Sequence, residues 1–152
     1  MRLWHKDLIY YLPRLQLLGQ WRECCLIARL LSRNGYPNHV LVNRVMDYDI
    51  LHFYKYSVGI YKRMLDCGYK TYFHNFSRWI NIDFNTVLDV LPSDDDMFSG
   101  WHNDIYLREC LYNLEEKALA GAIPQEDWQR IYERFKDFTP LVKFTDSIPD
   151  GF

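Results

Sequence analysis

The chain has 152 residues, with 18 Lys/Arg against 20 Asp/Glu, a formal net charge of −2, and 17% aromatic residues. That length fits one domain able to bury a sizeable core, and no apolar run is long enough to span a bilayer. The first residues lack the apolar stretch of a secretory signal, and the four cysteines have no C-x-x-C spacing, so a reducing cytoplasm is expected rather than a disulfide scaffold.

Residues 1–12 read as an apolar-rich lead-in containing Trp4, His5, Lys6 and the run Leu8-Ile9-Tyr10-Tyr11. Pro13 suits the first turn of a helix, where its missing N–H is no loss. The spacing predicts that helix over about residues 13–32. Leu17, Trp21, Cys24, Ala28 and Leu31 recur at intervals of four and three and form one apolar stripe. Gln16, Gln20 and Glu23 follow at its edge, and Arg22, Arg29 and Arg33 form a basic face beyond. Asn34-Gly35 is a C-terminal stop. Residues 36–46 read as a loop and a short helix. Asp47 or Asp49 can cap the next helix. Its buried face is expected at Ile50, Tyr54, Tyr61 and Leu65, widened by Phe53, Ile60 and Met64, and Gly68 closes it.

From residue 69 to 100 the periodic signal weakens. Phe76, Trp79, Ile80 and Ile82 are expected to pack as a short helix, and Pro92-Ser93-Asp94-Asp95-Asp96 as a loop. Asn103 or Asp104 caps a further helix with the stripe Leu107, Leu111, Leu114 and Ala118. Pro124 opens the last one, marked by Trp128, Ile131, Phe135 and Phe138, and Thr139-Pro140 ends it. No strand alternation or repeat is evident. The expected fold is all-α: a compact single domain, 1–152, of about three long helices plus short helices and loops.

Charge is unevenly divided. Residues 1–72 carry eleven Lys/Arg and five Asp/Glu, a net +6; residues 73–152 carry seven and fifteen, a net −8. The basic half can approach a polyanion while the acidic half faces away. A salt-bridged globule is the bland alternative.

Several residues invite chemical readings. Glu23, at the border of an apolar face beside Arg22, is where a catalytic acid is often found, although a surface ion pair is the commoner meaning. The three consecutive aspartates lack the glycine and distal glutamate of a calcium loop. His5, His39, His52 and His102 have no zinc-like spacing and fit hydrogen-bonded structural roles better. Trp4 and Trp21 suit the core rather than base stacking. Cys24 has no defined His partner to make it a nucleophile.

Met1-Arg2-Leu3-Trp4-His5, Leu12-Pro13-Arg14 and Gln16-Leu17-Leu18-Gly19-Gln20 leading into Arg22-Glu23 resemble the start of the phage-type pyrimidine-dimer DNA glycosylases, the endonuclease V-like enzymes. His52-Phe53-Tyr54-Lys55 with Met64-Leu65-Asp66-Cys67-Gly68-Tyr69 is similar to the family's second helix. His102, Tyr106-Leu107 and Asn113-Leu114-Glu115-Glu116-Lys117 look like its third. The resemblance covers roughly residues 1–120; the segment 121–152, a helix and tail, lies outside it.

The resemblance implies an all-α DNA repair enzyme whose N-terminal amine attacks C1′ of the deoxyribose under a damaged pyrimidine. An imine forms, and β-elimination then nicks the strand. Glu23 would handle protons and balance the cationic intermediate, with no metal or cofactor. Arg2 is too bulky to permit removal of Met1, so the amine would be that of Met1. Arg22 matches a phosphate-gripping arginine, and Lys117 falls on the helix-three lysine. Two other family arginines fall on Leu26 and Asn113. The DNA grip would then draw on Lys6, Arg14, Arg29 and Arg44, with His5 nearest the nucleophile. Gln16 and Gln20 either touch DNA or cap polar groups at the seam. The expected partner is double-stranded DNA, met by a monomer. The alternative is a non-catalytic nucleic-acid- or protein-binding module on the same scaffold.

Overall fold

The computed structural model describes residues 2–33 and 38–138. Seven α-helices and no strand occur among them. In chain order these are α1 (Arg14–Leu31), α2 (Val40–Met46), α3 (Ile50–Asp66), α4 (His74–Ser77), α5 (Phe84–Val87), α6 (Asp104–Leu119) and α7 (Gln125–Phe135). Short 3₁₀ turns span Lys6–Leu8, Leu88–Val90 and Lys136–Phe138. The all-α expectation holds. The stops expected at Asn34-Gly35 and Thr139-Pro140 lie outside the described residues.

Pro13 sits at the N-cap of α1, just ahead of the first turn. The expected α1 stripe is buried at Leu17, Trp21, Cys24 and Ala28, with Ile27 added, while Leu31 is only half-buried. Asp49 caps α3 by accepting from Leu51 N–H, and Asn103 caps α6 by accepting from Tyr106 N–H. Gly68 takes φ +76 and lets Tyr69 N–H turn back to the Met64 carbonyl. That positive φ is the reason a glycine ends α3.

α3 departs from its predicted face. Its buried residues are Phe53, Tyr54, Tyr56, Ser57, Ile60 and Met64, whereas Ile50 is 38% and Leu65 51% exposed. The helix is apolar on more than one side, so periodicity alone does not choose the face. Packing chooses it: α1 lies on one flank, and the 2–5 segment and Phe98 lie on another.

Aromatic rings fill two centres. Trp21, Phe53, Tyr61, Phe73 and Phe76 form the first, with centroids 5.0–6.3 Å apart. The second gathers His5, Tyr56, Phe98, Trp101, His102 and Tyr106. Phe98 is buried at φ +54, and its N–H donates to His52 Nδ1 at 3.0 Å. A non-glycine residue there costs about 1–2 kcal/mol, offset by burying a whole phenyl ring. The short helix expected from Phe76, Trp79, Ile80 and Ile82 shrinks to α4, which keeps only Phe76; Ile80 is still buried, Ile82 is half-buried and Trp79 is 36% exposed.

Candidate active site

A chain end ordinarily frays. Here three helices hold residues 2–5. Gln20, on the inner face of α1 and only 2% exposed, accepts from Trp4 N–H through Oε1 at 2.6 Å and donates from Nε2 to the Arg2 carbonyl at 3.0 Å. Its amide therefore satisfies one backbone donor and one backbone acceptor of this segment. From α3, the Tyr56 hydroxyl donates to the Trp4 carbonyl at 2.6 Å and lies 3.0 Å from Gln20 Oε1. From α6, the Tyr106 hydroxyl donates to the Leu3 carbonyl. Burial raises the pKa of both phenols, so they remain protonated donors.

Glu23 follows Gln20 by three residues on α1, about one helical turn and a rise of roughly 4.5 Å. It is half-buried, and its Oε2 is shut off from solvent with no hydrogen-bond partner among the described residues. A buried carboxylate oxygen without a donor is costly. Met1, whose α-amine the resemblance makes the nucleophile, lies outside the described residues. Arg22 and Arg14 are exposed, the latter over the Tyr69 ring at 5.3 Å; Gln16 is half-buried, and Lys117 is exposed in the last turn of α6.

Three residues expected at a DNA surface face inward. Gln20 is engaged as described. His5 is 2% exposed; its Nδ1 accepts from Asp7 N–H, and its ring stacks on His102 with centroids 5.2 Å apart. Lys6 points its ammonium into the Asp94–Met97 turn, where it donates to the carbonyls of Asp94, Asp95 and Met97 at 2.6, 3.0 and 2.8 Å. Three N–H bonds find three acceptors. Partial burial lowers the Lys6 pKa, with the nearby aspartates pulling the other way. The aspartate run thus presents main-chain oxygens to a lysine. No group of three His, Cys, Asp or Glu side chains suited to a metal occurs among the described residues.

The histidines are structural acceptors. His102 Nδ1 accepts from Lys6 N–H at 2.9 Å, and burial pushes its pKa down to about 2. His52 receives Phe98 N–H, and His39 caps α2 by accepting from Leu41 N–H. Burial raises the Cys24 thiol pKa well above its ordinary value and that of Cys25 to about 11, so neither is a thiolate near neutral pH.

Two clefts open on the surface and share no lining residue. One, of about 740 Å³, is lined by Arg2, Arg44, Trp101, Tyr106 and Glu109 among others, and so adjoins the N-terminal segment. The other, of about 780 Å³, is lined by Lys6, Tyr10, Tyr11, Lys55, Lys62 and Phe84 among others, and so adjoins the N-terminal lead-in as well. Glu23 lines neither cleft. The tyrosines and the Arg2 side chain escaped sequence reading. A buried tyrosine hydroxyl must find an acceptor, but nothing in the sequence says that Tyr56 and Tyr106 find theirs 52 and 103 residues away.

Residues 1–75, just under half of the chain, match the model of the pyrimidine dimer DNA glycosylase family. The match takes in the 2–5 segment, α1, α2 and α3; it stops short of α6, where the resemblance had placed Lys117. No curated protein and no solved structure matches the chain.

Proposed function

We propose that this protein is a pyrimidine dimer DNA glycosylase that also nicks DNA at the abasic site, using the Met1 α-amine as nucleophile and Glu23 as acid/base. The family match over residues 1–75 supports the glycosylase class. One observation carries the mechanistic reading. Gln20 fastens the backbone of residues 2–4 to α1 one turn before Glu23, and a buried oxygen of Glu23 lacks a donor among the described residues. An α-ammonium is the donor that would complete it.

The chemistry follows from those groups. An α-amine has a pKa of about 7.7–8.0, so a useful fraction is neutral near pH 7. The nitrogen attacks C1′, the base departs with the glycosidic electron pair, and the amine gives up a proton; the C1′–O4′ bond then opens, O4′ keeping its electron pair and taking a proton, to leave the iminium. Glu23, as carboxylate, balances that charge and can take the proton. The iminium acidifies C2′–H, whose removal expels the 3′ phosphate. Arg22, Arg14, Gln16 and Lys117 are left as the expected DNA contacts, while His5, Lys6 and Gln20 act as positioning groups.

A binding module without catalysis is the second reading. It is favoured by the family-arginine positions Leu26 and Asn113. Leu26 is exposed and uncharged, and Asn113 donates its side-chain N–H to the Glu109 carbonyl one turn back. Borohydride reduction in the presence of abasic-site duplex separates the two. A Schiff-base enzyme becomes covalently attached through residue 1. DNA binding with no trapped adduct would sink the catalytic reading and leave the module.

A further inference from the structure

The side chains of Arg29 and Arg78 both lie against the indole of Trp79, with guanidinium carbons 5.6 and 5.2 Å from the ring centroid. Arg29 comes from the last turn of α1, and Arg78 and Trp79 from the chain just beyond α4. All three are exposed, and neither arginine makes an ion pair among the described residues. Two like charges drawn to one indole repel each other. Stacking holds them in place without neutralising them. An anion brought to this face would relieve that repulsion.

The cluster is also aligned with the proposed site. Arg29 follows Arg22 by seven residues, two helical turns, so the two lie on one line along α1. From Glu23 to Arg29 is six residues, a rise of about 9 Å, or roughly three base pairs of B-form DNA. Trp79 and Arg78 lie beyond residue 75, the end of the family match.

We propose that Arg29, Arg78 and Trp79 form a second phosphate-contact patch, one that grips duplex DNA about three base pairs from the reacting nucleotide. It rests on the reading of the protein as a DNA glycosylase. Trp79 acts as a platform that pre-orients two guanidinium forks toward consecutive phosphates of one strand. Planar guanidiniums suit phosphate oxygens, and a side chain already held against an indole loses less freedom on binding. The patch continues the basic face that begins at Arg22 and replaces charge missing at Leu26.

The test measures affinity against salt concentration for a long duplex carrying an abasic-site analogue. The same duplex is then cut back to about two base pairs beyond the lesion on one side or the other. Arg29→Gln and Arg78→Gln should each flatten the slope of log K against log salt by about 0.9 on the long duplex. One of the two truncations should abolish that difference, while Arg22→Ala keeps its effect on both. Trp79→Leu removes no charge; it should keep the slope and weaken binding about five- to thirtyfold through the two lost stacks. Unchanged slopes in both arginine variants overturn the patch, as does an arginine effect that survives both truncations. An unaltered affinity in Trp79→Leu overturns the platform. Borohydride trapping of the wild type is run alongside. If it yields no adduct while the arginine effects appear, the catalytic reading fails and the patch stands.

Discussion

Replacing Gln20 by methionine keeps the side chain's length and volume and removes its amide. The Trp4 N–H, buried, then loses its only acceptor among the described residues, at a cost of about 1–3 kcal/mol. The Arg2 carbonyl, partly buried, loses the Nε2 donor, adding about 1 kcal/mol. The Tyr56 hydroxyl still has the Trp4 carbonyl and contributes little to the loss. A destabilisation of about 2–4 kcal/mol moves a urea midpoint down by about 1–2 M at an m-value near 2 kcal/mol/M. Below that midpoint the variant remains folded, and the second effect can be read. The 2–4 segment is no longer tied to α1, so residue 1 loses its fixed distance from Glu23. A misplacement of about 1 Å can lower a rate about 10²-fold. Single-turnover borohydride trapping on abasic duplex, in dilute buffer, measures that drop. An unchanged midpoint would mean that the Gln20 bonds do not hold the segment. A lowered midpoint with an unchanged trapping rate would mean that they hold the fold and have no part in presenting the amine.

The other expectations are simpler. Glu23→Gln keeps size and hydrogen bonding but loses charge and proton transfer, so strand cleavage should fall about 10²–10⁴-fold with little change in DNA affinity; equal cleavage rates would remove Glu23 from the mechanism. Arg22→Ala should weaken duplex binding and flatten the salt slope by about 0.9, and a slope that stays put would mean the basic face of α1 is not the DNA face. The His102 imidazole stays neutral to about pH 2 in the fold but takes up a proton below its ordinary 6.5 when unfolded. The unfolded state then binds more protons, so stability declines as pH falls from 6.5, by up to about 1.4 kcal/mol per pH unit. His5 and His52, also lowered by burial, act in the same direction. Urea midpoints at neutral and mildly acid pH should differ less in His102→Gln than in the wild type, and an equal pH dependence would dismiss His102 as a source.

The longest helices carry more apolar residues than they bury. On α1 and α6 the expected stripe is largely the buried one, although Leu15 and Leu26 of α1 and Ile105 and Leu119 of α6 stay exposed. α3 has apolar residues at Ile50, Leu51, Phe53, Tyr54, Tyr56, Val58, Ile60, Tyr61, Met64 and Leu65, enough for several stripes. Only the partners on either side settle which one is buried. The same limit governs the candidate site. Glu23 at the edge of a face was legible because it is a local pattern. The inward turn of Lys6 was not, because its three acceptors are main-chain oxygens 88 to 91 residues away. Lysine composition cannot distinguish an ammonium that grips phosphate from one that closes a loop. Trp79 was misplaced for a related reason. An indole scores as core material, yet two arginines hold it at the surface.

The N-terminal segment links these observations. Leu3, Trp4, His5, Leu8, Ile9 and Leu12 are all buried, although they belong to the part of a chain most prone to fray. Ordering them costs conformational entropy of about 1–2 kcal/mol per residue, and apolar burial at about 25 cal/mol per Å² offsets it. Burial alone would leave the segment free to slide, because hydrophobic contact is non-directional. The bonds from Gln20, Tyr56 and Tyr106 supply direction, and they come from three helices far apart in sequence. Through Lys6 and His102 the same segment also organises the acidic loop and the start of α6. On the proposed reading these bonds also serve the nucleophile, since an amine on a frayed end would dwell only briefly within reach of C1′ and of the carboxylate. On the proposed reading the acidic half has a role without touching DNA: main-chain oxygens of the Asp94–Met97 turn hold Lys6, and the exposed arginines of α1 would be the positive face turned to a polyanion.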